Sequence, residues 1–440
     1  MARLALDRAM PASWIDEVFL AHRQRQYPRE LLFSSVVELM LLVTLGLRPS
    51  LHAAARKLGE RLPVSLAALY AKVQRTEPAV LRALVQGSAE RLVPLVQCLP
   101  ERQSLAGWQL RVFDGNHLPA SEKRLGPLRG LRGAALPGHT LVVYDPDSAL
   151  VCDIVACEDA HQSERTGAAA LIERAQPQQV WIGDRHFCTQ ALLQGLAGRG
   201  AGFIVREHTH HPQLRALRPW GTSTNIETGQ VREQPIELAE PHEGALQHWR
   251  RIEIALHAPT ESGDEAIVLW SNLPAEIDAA TIAQLYRKRW RIEGMFGRLE
   301  SVLHSEIKTL GHPRAALLGF TVAVLAYNVL ALLKQFIEHA HRHSHPQLDV
   351  STYHLAVDIA SDYGPMLRML PPEHWPRADD DPRQLADRLM LLASRLSPRQ
   401  LATSRRKPKL AQAKGYVDGA IARSHVSTAR ILKQASAKRP

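Results

Sequence analysis

From Pro28 to about Leu105 the apolar positions recur at helical spacing, punctuated by Gly46, Pro49, Gly59 and Pro63, and no stretch alternates as a strand would. The pattern predicts an all-helical N-terminal region over residues 1–105. Within it, Ser50 is placed to cap a helix running through Leu58, and Ser65 to cap another that carries Lys72, Gln74 and Arg75 on its outer side. That spacing suits a helix-turn-helix that reads DNA, although two short helices joined by Gly and Pro pack together equally well without that role.

The period changes at Gly107. Trp108 to Phe113 alternates like a strand and runs into Asp114-Gly115-Asn116, and Thr140 to Tyr144 with Ala149 to Ala156 reads as a hairpin around Asp145-Pro146-Asp147-Ser148. Ser163 to Ala175 reads as a helix, Gln179 to Ile182 as a strand entering Gly183-Asp184-Arg185, Thr189 to Ala197 as a helix, and Gly202 to Val205 as a strand. Three antiparallel strands followed by helix, strand, helix and strand is the order of an RNase H-like α/β domain. The predicted fold is therefore α/β: a catalytic core in two parts, 106–206 and 278–340, split by a β-rich insertion over 207–277 with strands at Arg251 to Leu256 and Ala266 to Trp270. A helical C-terminal region, 341–440, follows.

Two stretches are apolar enough to suggest a membrane span, Leu31 to Leu47, interrupted by Glu38, and Ala315 to Leu333, which contains Asn328. Neither carries flanking aromatic belts, and the second reads as a buried core helix, so no membrane is expected among the partners. Lys plus Arg number 54 against 44 Asp plus Glu, a net charge of +10. Between Ser397 and Pro440 eleven basic residues face one acid, Asp418, so this tail carries the whole surplus and the body is balanced. A polyanion must meet either the tail or charge sorted locally on a neutral body, and a uniformly basic, histone-like body is excluded. Four cysteines (Cys98, Cys152, Cys157 and Cys188), with no CxxC pair and no secretory leader pattern at the start, point to a reducing, cytoplasmic setting.

Three acids fall at telling places: Asp114 at the end of the first strand, Asp184 at the end of the strand after the first helix, and Glu293 in a long helix that begins near Asp278 and runs to about His304. In an RNase H-like sheet the first and fourth strands lie side by side, which makes Asp114 and Asp184 neighbours, with Glu293 coming down on them. Three carboxylates at one point cannot all stay ionised and dry, so the grouping calls for divalent cations, and hard oxygen ligands suit Mg²⁺ or Mn²⁺. Two such ions about 3.5 to 4 Å apart serve phosphodiester chemistry. At about 100° per residue, Leu285, Ile292, Phe296, Leu299 and Leu303 form one stripe of the helix. Tyr286, Arg289, Glu293 and Glu300 form a second stripe beside it, and Arg287, Arg291 and Arg298 lie on a third side.

The segment LYRKRWRIEGMF, with Tyr286, Arg289 and Glu293 in its Tyr-x2-Arg-x3-Glu spacing, together with VFDGN around Asp114, WIGDRHF around Asp184 and GFIVR ending at Arg206, resembles the insertion-sequence DDE transposases of the IS-four group, which carry a YREK signature. The resemblance spans most of residues 105 to 335. It implies a cut-and-paste DNA transposase in which Asp114, Asp184 and Glu293 bind the metals while Tyr286, Arg289 and Arg206 hold transposon-end DNA. Its implied partners are double-stranded DNA, both terminal repeats and target, and a second copy in a synaptic homodimer, in a bacterial, nucleoid-associated setting. One position departs from the signature: the Lys expected seven residues after the Glu is Glu300, with Arg298 or Lys308 as possible substitutes for the lost phosphate contact.

A catalytically silent DNA-binding protein derived from such an enzyme is the alternative, favoured by Glu300 and opposed by the intact acids; a nuclease that cuts without joining is a third reading. The histidines at 339, 341, 343 and 345 and those at 208, 210 and 211 read as solvated segments rather than metal sites, since no Cys or carboxylate framework accompanies them. In Asp379-Asp380-Asp381-Pro382 the proline suits a first helical position, making Asp381 an N-cap.

Overall fold

In a computed structural model the chain is described over residues 1–24, 26, 30–58, 63–100, 103–238, 247–260, 262–369, 374–375, 377–378, 381–404 and 426–437. Most of the basic tail, including Tyr416, lies outside these residues, as do Asp379 and Asp380. Six helices come first: α1 (Ala2–Ala9), α2 (Ala12–His22), α3 (Phe33–Thr44), α4 (Leu51–Leu58), α5 (Leu66–Arg75) and α6 (Pro78–Gln97). Both expected caps form: the Ser50 and Ser65 hydroxyls accept from the amides of Ala53 and Ala68, each at 3.2 Å.

The sheet begins with β1 (Gln109–His117), a two-residue β2 (Ala135–Leu136), β3 (His139–Asp145) and β4 (Leu150–Cys157). The β3–β4 turn is set by Asp145, whose carboxylate accepts from the amides of Asp147 at 2.9 Å and Ser148 at 3.1 Å. Helix α7 (Ala168–Arg174), β5 (Gln179–Gly183), α8 (Gln190–Gly198) and β6 (Gly202–Arg206) follow, and then β7 (Leu214–Ala216), β8 (Thr224–Ile226), β9 (Gly229–Leu238), β10 (His248–Leu256) and β11 (Ala266–Ser271). The strand order is β4-β3-β1-β5-β6-β11-β10-β9-β7, with β8 pairing β9. Its first five members are the RNase H-like arrangement, antiparallel from β4 to β1 and parallel from β1 through β5 to β6. The β-rich segment after β6 extends this same sheet, because β11 joins β6 antiparallel through Leu269, Trp270 and Ser271.

The remaining elements are α9 (Ala279–Arg287), α10 (Trp290–Ser301), α11 (Pro313–Ala340), α12 (Thr352–Met369), α13 (Pro382–Ala393), α14 (Pro398–Leu401), β12 (Val426–Ser427) and a last helix, Thr428–Ala437. Asp381 caps α13 as expected, accepting from the Arg383 amide at 2.9 Å. Helix α11 is long and apolar enough to cross a membrane, yet 94% of its most apolar window is buried inside the protein. One face of the sheet packs on α11 and α6; the other carries α7 and α8 over Phe113, Trp181 and Phe203. The N-terminal helices do not enclose a core of their own, since α1, α3, α5 and α6 all pack on α11 within one continuous apolar cluster. Arg82 of α6 reinforces that contact with a bidentate ion pair to Asp153 of β4, at 2.8 and 2.7 Å.

Asn328, the polar break in the apolar helix, has a definite role. Its amide oxygen accepts from Val151 N at 2.8 Å and its nitrogen donates to Val151 O at 2.9 Å, so the side chain acts as a strand partner for the open edge of β4. Asn328→Leu keeps the volume but strands both backbone groups of Val151 in an apolar interior, a loss of about 2 to 4 kcal/mol expected in urea unfolding. A loss under about 1 kcal/mol would mean that water reaches that edge and the bond pair is dispensable.

Candidate active site

Strand register puts two of the three acids together. In the parallel pair β1–β5, Leu110 lies opposite Val180 and Val112 opposite Ile182; the same register carried two residues further sets Asp114 beside Asp184, near enough for the charge of one to act on the other. Alternation fixes the face. Val112 and Ile182 point into the core beneath α11, while Phe113 points to the opposite face, and a Cβ added at Gly183 would come within 2.4 Å of the Phe113 ring. Residue 114, which lies inside β1 but beyond its last rung with β5, and residue 184, just past β5, are therefore both turned to the α11 side, so β1 runs on past the acid where the sequence pattern ended it.

The third acid arrives on a helix with a break in it. Asp278 caps α9 by accepting from the Thr281 amide at 2.6 Å. The single helix expected from Asp278 to about His304 is instead two, because Lys288, Arg289, Arg291 and Ile292 donate to carbonyls three residues back and tighten the chain locally. At that junction Arg289, 8% exposed, points back under the sheet edge. One guanidinium nitrogen donates to Asp114 at 3.0 Å and the other to Glu293 at 3.0 Å. The sheet and the helix are thus joined at their acids by one cation. Tyr286 is buried beside it, its phenol bonded to Arg289 and held above its ordinary pKa by burial, so in this state it supports the arginine and does not face solvent.

Asp114 is the strained member of the group. Its pKa is raised from 3.8 to about 6, chiefly because burial penalises the charge; Arg289 and the Gly115 amide oppose the rise, and Asp184 and Glu164 add to it. The expected convergence is accordingly partial. Asp114 and Glu293 meet across Arg289 with Asp184 beside them, but among the described residues no three acids, histidines or cysteines stand close enough to hold a metal ion as they are. The physical reason is electrostatic: with only the chain's own charges, the guanidinium is the countercharge that lets the carboxylates approach. The donor set itself, three hard carboxylates at adjoining strand ends and one helix, fits a divalent cation.

Glu164 had no sequence signal of its own. Its carboxyl packs behind β1 against the Cα of Gly115, where an added Cβ would sit 2.0 Å from its carboxyl carbon, and it faces His117 Nδ1 at 3.4 Å. Only Gly115 hinted at it, as a position where another group comes too close for any side chain.

Other expected contacts are spent within the fold. Arg206 pairs with Asp264 at 2.8 Å, at the end of β6 and near enough to Tyr286 for its charge to act on that phenol. Lys72, expected on the outer side of a recognition helix, donates to the Leu31 carbonyl and lies 4.8 Å from the Phe19 ring centre. Arg298 lies on the far side of α10, half-buried, in a cleft of about 860 Å³ that Lys288, Trp290, Arg291 and Tyr144 also line. Of the histidines, His211 packs on Trp270 and His341 bonds the Ala393 carbonyl. From the tail, Val426 and Ser427 pair with Ala135 and Leu136, and Arg430 ion-pairs with Asp159.

The charge on Asp114 should cost folding stability. Because its pKa is raised in the folded state, the stability linked to its proton is fully present below 3.8 and lost as pH rises through about 6. Asp114→Asn stays neutral throughout, so above pH 7 the variant should be more stable than the parent by about 1 to 3 kcal/mol, an advantage that vanishes in acid. Thermal unfolding at the two pH values reads this; a variant less stable than the parent at high pH would show that the ion pair with Arg289 outweighs the burial of the carboxylate.

Comparison with known proteins adds a family likeness and a structural likeness to this geometry. Residues 112–329 match the transposase DDE domain family. No curated protein sequence matches the chain. Among solved structures, a cryo-EM structure of the piggyBac transposase synaptic complex with hairpin DNA is similar over 88% of this chain and 84% of that one, at 12% identity and a TM-score of 0.40. The family match opens two residues before Asp114, encloses Asp184 and Glu293 and ends inside α11, so all three acids lie in the part of the chain that matches a transposase DDE domain.

Proposed function

We propose that the chain is a cut-and-paste DNA transposase of the IS-four, YREK-signature kind, with Asp114, Asp184 and Glu293 as the ligands of Mg²⁺ or Mn²⁺. The observation that carries this reading is the meeting of Asp114 and Glu293 on one guanidinium, with Asp184 at the end of the strand beside Asp114. Divalent cations on these carboxylates supply Lewis-acid activation of the attacking oxygen and stabilisation of the leaving one in a phosphoryl displacement. The chain's own residues do the rest. The register of β1 against β5 holds two carboxylates at fixed separation, and α10 brings the third to the same point. Arg289, with Tyr286 behind it, is the cation nearest the reacting phosphate. Substrates on this reading are transposon-end and target DNA, brought together by two copies of the chain.

Asp184→Asn tests the assignment directly. It should abolish Mg²⁺-dependent cleavage of end DNA while leaving DNA affinity within about twofold, since phosphate contacts by Lys and Arg carry most of the binding. Retained cleavage would mean that the reaction, if any, is run from another site.

The alternative, a silent DNA-binding derivative, is favoured by Glu300. This residue is exposed on the stripe that carries Glu293, and its charge also pushes up the pKa of Glu306, whose main cause is burial. Replacing repulsion of a phosphate by attraction is worth about 1 to 2 kcal/mol at contact distance in water. Glu300→Lys should therefore tighten end binding by that amount and raise excision in a plasmid assay. If affinity rises and excision stays at zero, the silent reading gains; if neither moves, the stripe does not face DNA.

A further inference from the structure

Arg289 occupies the space that a divalent cation would need. Its two terminal nitrogens donate to oxygens of Asp114 and Glu293 at 3.0 Å each, so two of the acids proposed to hold metal already share one cation of the chain. A guanidinium that donates to those oxygens and a metal ion that they ligate compete for the same lone pairs, and each repels the other. We infer that Arg289 is the resident counter-cation of the DNA-free protein, and that divalent cation loads only as Arg289 moves off to another anion, a DNA phosphate, so that metal and DNA bind cooperatively. The inference rests on the proposed reading of Asp114, Asp184 and Glu293 as the cation site.

Three features make the arginine able to move. Its Nε is buried with no hydrogen-bond partner, so the present seat leaves one donor unsatisfied. It sits at the tightened junction of α9 and α10, outside the regular hydrogen-bond ladder of either helix. It already lies over the edge of a path to solvent: the Trp290 ring, 63% exposed, has its centre 5.3 Å from the Arg289 guanidinium carbon. A side chain turning outward over that indole keeps an aromatic partner while its charge enters solvent, where a phosphate can take it. Linkage then requires reciprocity: an anion that draws Arg289 away raises metal affinity, and metal raises affinity for that anion.

The experiment is Mn²⁺ binding to the full-length protein by titration calorimetry, with and without a duplex of arbitrary sequence. Without DNA, Arg289→Gln should bind Mn²⁺ about tenfold more tightly than the parent, a coupling of ordinary size. With the duplex, the parent's Mn²⁺ affinity should rise by a similar factor and that of Arg289→Gln should stay unchanged. Arg289→Lys, which keeps the charge but cannot bridge two carboxylates as a planar fork, should fall between them, and it decides the matter if Arg289→Gln fails to fold. Equal or weaker Mn²⁺ binding by these variants in the absence of DNA overturns the inference. Failure of the underlying reading looks different: Asp184→Asn placed in the Arg289→Gln protein would then leave Mn²⁺ affinity unchanged, showing that the metal binds elsewhere.

Discussion

Helix α11 sets the constraint that the other layers obey. It is 28 residues long and apolar on nearly every side, so water cannot be left on any of its faces. The sheet covers one side, and α1, α3, α5, α6 and α13 cover the rest. That is why the N-terminal helices, which look like a separate unit by composition, share their core with the sheet: burying α11 takes more surface than the sheet provides. It also explains Asn328. A helix seated against the edge strand β4 must meet that strand's unpaired backbone groups, and one amide side chain does so.

With α11 fixed, the site follows from two periodicities. Alternation along β1 and β5 sends Asp114 and Asp184 to the side where α11 lies, and the tightened turn between α9 and α10 swings Glu293 and Arg289 over them. A regular helix from Asp278 onward would carry the Tyr286, Arg289 and Glu293 stripe continuously along its axis. The local tightening instead directs Arg289 inward at the point where a charge is needed. The acids, not the helix, set the need: Asp114 is already held near a pKa of 6 by burial with Arg289 present.

Much of this was legible in the sequence because it depends on short-range periodicity. The strand at Gln109–His117, the hairpin turned by Asp145 and the strands ending at Gly183 and Arg206 fall within a few residues of where alternation and turn residues put them. The acids at strand ends were legible for the same reason. What was not legible is what needs three dimensions. That 207–277 extends the sheet depends on β11 pairing with β6, which no local pattern encodes. The packing of Glu164 against Gly115 joins a short helical turn to β1 across a long stretch of chain, and the seat of Lys72 over Phe19 is set by α2 and α5 meeting. The junction at Lys288 and Arg289 shows as no Gly or Pro, since the chain stays in helical dihedrals and only the hydrogen bonds shorten their reach.

The balanced charge of the body left open where a polyanion would meet it, and pairing narrows the choice. Arg82, Arg111, Arg206, Arg250 and Arg251 are each spent on a carboxylate of the fold, and Lys72 on a carbonyl and a ring. On the outer side of α10 the accounting differs: Arg291 donates to the Pro146 carbonyl, and Arg298 acts at longer range on Asp349, a carboxylate that Lys334 holds. These two arginines flank Trp290, which adjoins the stripe of Arg289 and Glu293. Positive charge on α10 therefore stands on the same helix as Glu293 and Arg289, and it offsets part of the repulsion an incoming phosphate would feel from three carboxylates. A protein with a balanced body can present a polyanion with a local positive surface in this way, through cations that the fold holds by carbonyls instead of carboxylates.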